Sequence, residues 1–343
     1  MTIAAFFMSI ALSAGLVMML GRSSLASWSL DHPNHRSLHR KPTPRIGGVA
    51  IVLGVAISLL LLHPHGLPGT ALALAATLAL VSFLDDRAHL PVALRLAAHI
   101  AAAIFMVYSW TIYFSLGSPP GARHTLVLLA SPFAALALVA AICWMTNLYN
   151  FMDGANGLAG GMALIGFGGF AVAASMTSGE DGAAMAAAAA ALSGAALGFL
   201  IFNFPAGRVF MGDTGSVAIG FLAAALAIEG CLKVLWPWWF GVLAFSPFIV
   251  DATATLFKRI AKREKVWMAH RQHYYQRLIL SGWSHRRTVI SYYFLMLGST
   301  GSALAAQNSH FLYPIVSFWV ITYASLLVYL EWRFYKQEKD KTE

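Results

Sequence analysis

The chain alternates between long apolar stretches and short polar segments. Crossing the hydrocarbon core of a bilayer takes about 20 apolar residues in a helix. Eleven stretches meet or approach that length: 3–21, 46–62, 67–84, 92–115, 124–144, 158–177, 183–202, 215–232, 236–257, 288–306 and 311–331. The pattern therefore predicts an all-α integral membrane protein with about eleven transmembrane helices.

Composition agrees with this fold class. Hydrophobic residues make up 59% of the chain and charged residues 11%, whereas soluble domains carry roughly 25% charged residues. No repeat, low-complexity linker or change in composition divides the sequence. We expect one polytopic membrane domain over residues 1–343.

The basic residues predict the orientation, because Lys and Arg concentrate on cytoplasmic loops. With the N-terminus outside and the C-terminus cytoplasmic, only Arg123 and Lys233 of the 23 Lys and Arg residues fall outside. The inner segments are then 22–45, 85–91, 145–157, 203–214, 258–287 and the C-terminal tail. The net charge of +9 is accordingly assigned to topology and anionic lipid, not to nucleic acid. The sequence leaves open whether the chain forms a homodimer.

Acidic residues are rare, yet Asp85 and Asp86 are adjacent at the inner end of the third span. Two such carboxylates repel each other unless a cation or a reacting proton lies between them. Ionisable residues at a membrane boundary are therefore functional candidates by default. The alternative is that Arg87 and Arg95 neutralise them as ordinary ion pairs.

A second polar group follows the fifth span. Asn147, Asn150 and Asp153 are spaced three residues apart, so on a helix their polar ends converge at its cytoplasmic end. Gly154 and Gly157 then allow the backbone to turn close to a ligand. The alternative is that the asparagines form hydrogen bonds between membrane helices.

Two further motifs begin apolar spans. Asp213, in the segment from Phe210 to Ser216, could be only a helix cap. Gly47 and Gly48 should expose backbone N–H groups that suit an anion, although a solvated basic loop is the simpler interpretation. Under the predicted topology, four spans begin in the cytoplasm next to these motifs. Their positive dipole ends favour a ligand with several negative charges.

A polyphosphate is such a ligand, and it also accounts for the acidic residues. Asp and Asn oxygens suit Mg²⁺, which proteins usually hold with one or two side chains while phosphates and water complete its shell. The inner loops therefore predict a site for phosphoryl transfer.

At this level of detail the chain resembles the polyprenyl-phosphate N-acetylhexosamine-1-phosphate transferases, which include the MraY, WecA and WbpL-like enzymes. The resemblance runs from about Asp31 to Arg277 and rests on motifs in the family's order. They are Pro33-Asn-His-Arg-Ser37 with Pro42-Thr-Pro-Arg-Ile-Gly-Gly48, Asp85-Asp-Arg87, Asn147-x-x-Asn-x-x-Asp-Gly154, Met211-Gly-Asp-Thr-Gly-Ser216 and His270-Arg-Gln-His-Tyr-Tyr-Gln-Arg277.

The resemblance implies that undecaprenyl phosphate attacks the β-phosphate of a UDP-N-acetylhexosamine and releases UMP, at the cytoplasmic face of the bacterial inner membrane. It implies Mg²⁺, for which Mn²⁺ could substitute, held by Asn150 and Asp213. The implied catalytic residues are Asp85, Asp86, Asp153 and Asp213. The implied substrate-binding residues are Arg45, Arg87, Arg95, Asn147, Gly154, Asn156, Phe210, His270, Arg271 and His273. Within this set, Phe210 would stack on uracil and Asn156 would bond the base.

Two features of the chain depart from the family pattern. Asn156 stands where bacterial relatives often have Asp. The run from His273 to Gln276 replaces the His-x-His-His run of the MraY and WecA groups and looks more like the WbpL-type enzymes that initiate O-antigen. The sugar is therefore left open.

The last inner loop, 258–287, is the most basic. Imidazole and guanidinium groups bond phosphate oxygens, so His270, Arg271 and His273 should face the diphosphate and sugar. For residues 258–265 a basic segment on the membrane surface is the preferred interpretation. Pro247 and Asp251 in the ninth span predict a broken helix that could open a groove for the polyprenyl chain.

Two other classes of protein were weighed against this one. A transporter for an anionic solute should show inverted halves or charges near the bilayer midplane. A CDP-alcohol phosphotransferase should gather its Asp residues with an Arg on one helix pair. The acidic residues of this chain are instead spread over three inner loops.

Overall fold

The structure is a computed structural model that describes residues 1–33, 41–66, 68–88, 90–117, 128–265, 268, 270–307 and 312–342. For residues 86–88, 117, 338, 341 and 342 it describes the backbone alone.

The elements follow one another as helices joined by short connections. In chain order they are α1 Thr2–Gly21, α2 Ser24–Trp28, β1 Leu30–Asp31, β2 Thr43–Pro44, α3 Gly47–Leu62, α4 Gly69–Ala88, α5 Val92–Gly117, α6 Pro132–Met152, α7 Leu158–Ser175, α8 Glu180–Asn203, α9 Gly212–Leu232, α10 Trp239–Ala244, α11 Ser246–Ala261, α12 Tyr274–Leu280, α13 His285–Ala306 and α14 Leu312–Thr342. β1 and β2 form an antiparallel pair in the first inner loop.

Within the described residues, eight helices are long and apolar enough to cross a membrane: α1, α5, α6, α7, α8, α9, α13 and α14. α3 and α4 are also apolar, but their apolar stretches, Gly47–Leu62 and Gly69–Asp85, are shorter than those of the eight helices. The prediction of a helical, multi-pass membrane protein is confirmed in this form. The count of eleven spans and the orientation stay predictions.

Two predicted spans have different bounds. The fifth, expected over 124–144, is the helix Pro132–Met152, which Ser131 caps with its side chain. Its end therefore carries the Asn-rich motif inside the helix. The ninth, expected over 236–257, breaks at Phe245 into α10 and α11, with Pro247 in the first turn of α11. The predicted break is confirmed.

The Ala-rich α8 lies at the centre of the bundle, packed against α1, α3 and α7. Small residues allow backbones of membrane helices to approach closely. A Cβ added at Gly194 would lie 2.2 Å from the carbonyl oxygen of Phe6, and one at Gly198 would lie 2.6 Å from that of Ile10. α9 is similarly buried and packs against α3, α4 and α6, so its N-terminus meets three elements that carry site residues.

The opposite end of α9 holds an ionic cluster. Lys233 Nζ lies 2.7 Å from Asp181 Oδ1 and 3.3 Å from Glu229 Oε1. Trp110 on α5 also donates to the Glu229 carboxylate, at 3.4 Å. These contacts join α5, α8 and α9 at the end of the bundle away from Asp213.

Candidate active site

Arg95 joins two of the predicted acidic motifs. Its Nη1 lies 3.1 Å from Asp85 Oδ2 and 3.7 Å from Asp213 Oδ2. Asp85 is buried and also accepts the backbone N–H of Leu90 at 2.6 Å. The ion pair considered as an alternative therefore exists between Arg95 and Asp85. The side chains of Asp86 and Arg87 lie outside the described residues.

The polar end of α6 meets the first turn of α9. Asn150 Nδ2 donates to Ser216 Oγ at 3.2 Å, and Ser216 lies one turn after Asp213. The asparagine thus forms the interhelical hydrogen bond considered as an alternative, while its Oδ1 is not used in that bond. Asn147 Nδ2 donates to the Cys143 carbonyl at 2.7 Å, within its own helix.

Asp153 lies at the C-cap of α6 and interacts electrostatically with Asp213 of α9. Burial and the negative charge of Asp213 raise the pKa of the Asp153 carboxyl well above its ordinary value. Arg45 and the backbone N–H of Gly212 act in the opposite direction. The charge of Asp213 therefore disfavours ionisation of Asp153 unless positive charge enters the site.

The first inner loop reaches the site through Arg45. Its Nη2 lies 2.7 Å from Asp31 Oδ1, across the pairing of β1 with β2. The aliphatic part of the side chain lies beside Gly212. Arg45 is therefore close to both acidic ends of the site, at α6 and α9.

The expectation for Gly47 and Gly48 was wrong. Both residues are buried, and their N–H groups donate at 2.9 Å to the carbonyls of Phe210 and Met211. A Cβ at Gly48 would lie 2.2 Å from the backbone nitrogen of Gly215. These glycines bring the backbones of α3 and α9 together and do not present free donors to an anion.

The turn after α6 packs against the segment that precedes Phe210. Asn156 Nδ2 donates to the Pro205 carbonyl at 3.4 Å. Gly157 has φ +90°, and a Cβ there would lie 2.5 Å from the ring of Phe204, so only glycine fits. Phe210 is fixed in turn by its N–H, which donates to the Pro44 carbonyl at 2.9 Å.

In the last inner loop, His273 is buried and its Nδ1 lies 3.3 Å from Asp251 Oδ1. Arg271 is exposed. His270 lies beside His273, with ring centroids 4.9 Å apart. Burial, with the neighbouring His273 and Arg259, lowers the pKa of His270 from 6.5 to about 4. At neutral pH this imidazole is uncharged, and its Nδ1 accepts the Gln272 N–H at 3.2 Å, so Nε2 carries the proton.

The first two residues of the segment 258–265 contact acidic side chains, and the membrane-surface interpretation of the segment stays a prediction. Lys258 Nζ pairs with Glu331 of α14 at 2.6 Å. Arg259 is 4% exposed and its Nε donates to Glu264 at 2.9 Å. Arg259 therefore acts inside the protein, whereas the pair of Lys258 with Glu331 is partly exposed. Lys262, Arg263 and Lys265 are exposed.

Some neighbours of the site did not emerge from the sequence. His99 lies on α5 one turn after Arg95, and its Nδ1 is 3.4 Å from Asn147 Nδ2. The i,i+4 spacing from Arg95 was the available signal. Asn203, which accepts the N–H of Gly157 through its side chain, lies in an apolar stretch and carried no local signal.

The sequence of the chain is similar to those of known proteins. The model of glycosyl transferase family 4 matches residues 69–231. The decaprenyl-phosphate N-acetylglucosaminephosphotransferase of Mycolicibacterium smegmatis is 31% identical, with 77% of this chain and 72% of that protein covered. The phospho-N-acetylmuramoyl-pentapeptide-transferase of Bacillus velezensis is 30% identical, with 84% and 91% covered. The chain belongs to glycosyl transferase family 4.

A third relative extends the similarity over most of both chains. The probable undecaprenyl-phosphate N-acetylglucosaminyl 1-phosphate transferase of Bacillus subtilis is 28% identical, with 90% of this chain and 85% of that protein covered. The resemblance to polyprenyl-phosphate sugar-1-phosphate transferases is thereby confirmed. Family membership favours neither a solute transporter nor a CDP-alcohol phosphotransferase.

Proposed function

We propose that this chain transfers N-acetylhexosamine 1-phosphate from a UDP-sugar to undecaprenyl phosphate. The main support is the convergence of Arg95, Asp85 and Asp213 from three helices, with Asn150 and Asp153 at the end of a fourth. A site of this kind combines acidic oxygens for a cation with basic groups for phosphate.

In the proposed reaction, an oxygen of the lipid phosphate attacks the β-phosphorus of the UDP-sugar. The bond from that phosphorus to the oxygen bridging the two phosphates breaks, and UMP leaves with the bond's electron pair. A new phosphorus–oxygen bond joins the sugar phosphate to the lipid as a diphosphate. Catalysis then rests on positioning and charge stabilisation more than on covalent chemistry.

The residues at the start of α9 fit a Mg²⁺ ion. Asp213 is partly exposed, and Asn150 Oδ1 is not used in the bond to Ser216. Burial and repulsion by Asp213 raise the pKa of Asp153, and a cation here would offset the repulsion. Mg²⁺, or Mn²⁺ in its place, would supply charge neutralisation on the diphosphate. Asp213 and Asn150 are the residues proposed to hold it.

The basic groups are proposed to hold phosphates. Arg95 already lies between two carboxylates, so its guanidinium can exchange one of them for a lipid or sugar phosphate. Arg45 approaches the same region from the first loop. Asp85 is held in place by Arg95 and the Leu90 N–H. Asp85 and Asp86 are proposed to bind or deprotonate the lipid phosphate. Arg87 is proposed to stabilise the charge of that phosphate.

The remaining predicted residues divide between the base and the sugar. Phe210, Gly154 and Asn156 are proposed to bind uracil. His270, Arg271 and His273 are proposed to approach the diphosphate and sugar. The break between α10 and α11 is proposed to lie beside the polyprenyl chain. Asn147, one turn before Asn150, completes the substrate-binding set.

The product would be an undecaprenyl-diphosphate sugar at the inner membrane. We propose that it starts O-antigen or a related cell-envelope polysaccharide. UDP-N-acetylglucosamine is the first donor to test, because two of the relatives are named for N-acetylglucosamine.

The test is to incubate the purified protein in detergent with undecaprenyl phosphate, Mg²⁺ and a panel of UDP-N-acetylhexosamines, and to identify the nucleotide released. We expect UMP with at least one sugar. Release of UDP would indicate ordinary glycosyl transfer, and the absence of any release across the panel would refute the proposal. Reactions without the lipid measure hydrolysis.

A further inference from the structure

Asp251 is a buried carboxylate on α11 for which the proposed chemistry has no use. It is 3% exposed. Its Oδ1 accepts the backbone N–H of Tyr274 at 2.9 Å and faces His273 Nδ1 at 3.3 Å. Its Oδ2 accepts the N–H of Tyr275 at 3.1 Å and the hydroxyl of Tyr292. Burying a charge this deeply is costly unless donors surround it, and here donors from α12, α13 and the preceding loop do so.

The helix that Asp251 holds reaches directly into the candidate site. Tyr275 is fully buried, and its hydroxyl donates to the Phe151 carbonyl at 3.0 Å, in the last turn of α6. A Cβ added at Gly154 would lie 2.1 Å from that hydroxyl. The tyrosine therefore occupies the space against the turn that carries Asp153, which explains why residue 154 has no side chain.

The neighbouring tyrosine points elsewhere. The Tyr274 hydroxyl donates to Glu331 on α14 at 2.8 Å, beside Arg277, whose Nη1 lies 2.6 Å from the same carboxylate. α12 is thus held by two carboxylates. Asp251 binds its N-terminal backbone, next to the Tyr275 side chain that contacts α6, and Glu331 of α14 binds its Tyr274 and Arg277 side chains.

We propose that Asp251 is a positioning residue for the nucleotide-sugar half of the site, acting through Tyr275 on the end of α6 and through His273 on the last inner loop. This inference rests on the proposed function and assigns a role outside its reacting groups. Asp251 fixes the distance between the loop 270–273 and the turn 151–154. Without it, the loop 270–273 and the turn 151–154 are no longer held at the distance that the UDP-sugar requires.

The carboxylate cannot be replaced by an amide of the same shape. Both of its oxygens accept N–H donors, so either orientation of an Asn side chain sets its NH₂ group against a backbone donor. Asp251→Asn therefore breaks the attachment with little change in volume. Tyr275→Phe removes only the hydroxyl that contacts α6, and Tyr274→Phe is the matched control that removes the hydroxyl directed at α14.

The first measurement is steady-state kinetics on the full-length protein. We expect Asp251→Asn to raise KM for the UDP-sugar by about ten- to a hundredfold and Tyr275→Phe by roughly two- to tenfold, the range for hydrogen bonds to charged and neutral groups. KM for undecaprenyl phosphate should stay within about twofold, as should both KM values in Tyr274→Phe. In the double variant Asp251→Asn with Tyr275→Phe, the increase in KM for the UDP-sugar should be smaller than the product of the two single increases, because both changes break the same connection.

The second measurement needs no substrate. Hydrogen exchange at residues 148–154 should accelerate in Asp251→Asn and Tyr275→Phe but not in Tyr274→Phe. Unchanged exchange at these residues in both Asp251→Asn and Tyr275→Phe would overturn the proposal. It would also be overturned if Asp251→Asn only reduced the amount of active protein and left KM for the UDP-sugar and for undecaprenyl phosphate unaltered. Faster exchange in a protein that releases no UMP would leave the attachment standing and refute the proposed function instead.

Discussion

At the scale of single residues, the charged groups of the candidate site and of its surroundings lie against specific partners. Arg95 contacts two carboxylates from different helices, and Asp251 accepts from several donors. In a membrane protein such groups are costly without partners. Their arrangement at one end of α4, α5, α6 and α9 is what distinguishes a site from scattered polar residues.

Asp213 is the residue whose change should affect turnover most. Asp213→Asn keeps the shape but removes the charge proposed to hold Mg²⁺, so turnover at saturating Mg²⁺ should fall by at least about a hundredfold. Asp181→Asn is the control, because Asp181 also lies in the first turn of a helix but pairs with Lys233 at the other end of the bundle. More than about a tenth of wild-type turnover in Asp213→Asn would contradict the assignment.

His270 should make the protein less stable in mild acid. Its pKa is about 4 in the folded state, against an ordinary value of 6.5. Between these values the unfolded chain binds a proton that the folded protein does not, so stability falls as pH decreases through this window. The thermal midpoint should drop less between about pH 7 and about pH 5 in His270→Gln than in wild type. His65→Gln, at an exposed site, should retain the full drop, and an equal drop in all three proteins would be inconsistent with a neutral His270.

Most residues of the candidate site could be proposed from the sequence because their motifs are local. Asp85, Asn150, Asp153 and Asp213 each lie at the end of an apolar stretch, where helix geometry directs them to one face. The contact between His273 and Asp251 spans 22 residues, and periodicity carries no information about such pairs. Gly47 and Gly48 were misinterpreted for the same reason, since their partners are more than 160 residues away along the chain.

At the scale of elements, α9 is the organising helix. Its N-terminal end meets α3, α5 and α6 at the candidate site, and its other end joins α5 through Glu229 and α8 through Lys233. The sequence pattern predicted this helix to within three residues at its start, over 215–232 against Gly212–Leu232, because its apolar run is long. The apolar run alone ended α6 at residue 144, because polar side chains interrupt it, and only the three-residue spacing of Asn147 and Asn150 indicated that the helix continues.

The two acids that contact Lys233 should differ in their contributions to stability. Glu229 is 7% exposed and Asp181 is 47% exposed at the side chain. Lys233→Met leaves Glu229 buried without its cation and should lower the free energy of unfolding by about 3 kcal/mol or more. Asp181→Asn removes only a solvated partner and should cost less than about 1 kcal/mol.

Unfolding in mixed micelles with increasing denaturing detergent measures both changes. The double variant Lys233→Met with Glu229→Gln should recover much of the loss, because no unpaired charge is left buried. Equal losses for Lys233→Met and Asp181→Asn would show that the buried pair is not the stabilising contact.

At the scale of the whole molecule, the proposed reaction requires one end of the bundle to be cytoplasmic. The described residues of the candidate site lie at the same end of the bundle as Lys262, and Ser178 lies at the opposite end, between α7 and α8. The charge distribution predicts that the first end is inside. Hydropathy could place the helices in order, but which faces pack together depends on small residues such as Gly194 and Gly198, whose contacts are not local.

Cysteine labelling tests this orientation. In a background where Cys143 and Cys231 are replaced, Ser178→Cys should react with a membrane-impermeant maleimide in intact cells. Lys262→Cys should react only after the inner face is exposed. Both positions are exposed on the protein surface. Reaction of Lys262→Cys from outside would reverse the topology and place the site on the wrong face for a cytoplasmic UDP-sugar.

In the proposed reaction a sugar phosphate, not a sugar, moves to the lipid. The most direct measurement follows the β-phosphorus of a UDP-N-acetylhexosamine accepted by the protein, using donor labelled at that atom with ³²P. Phosphosugar transfer predicts that the label moves into the lipid fraction in equal amount to the UMP released, and that Asp213→Asn abolishes both. Label that remains in soluble UDP while sugar enters the lipid fraction would contradict the account.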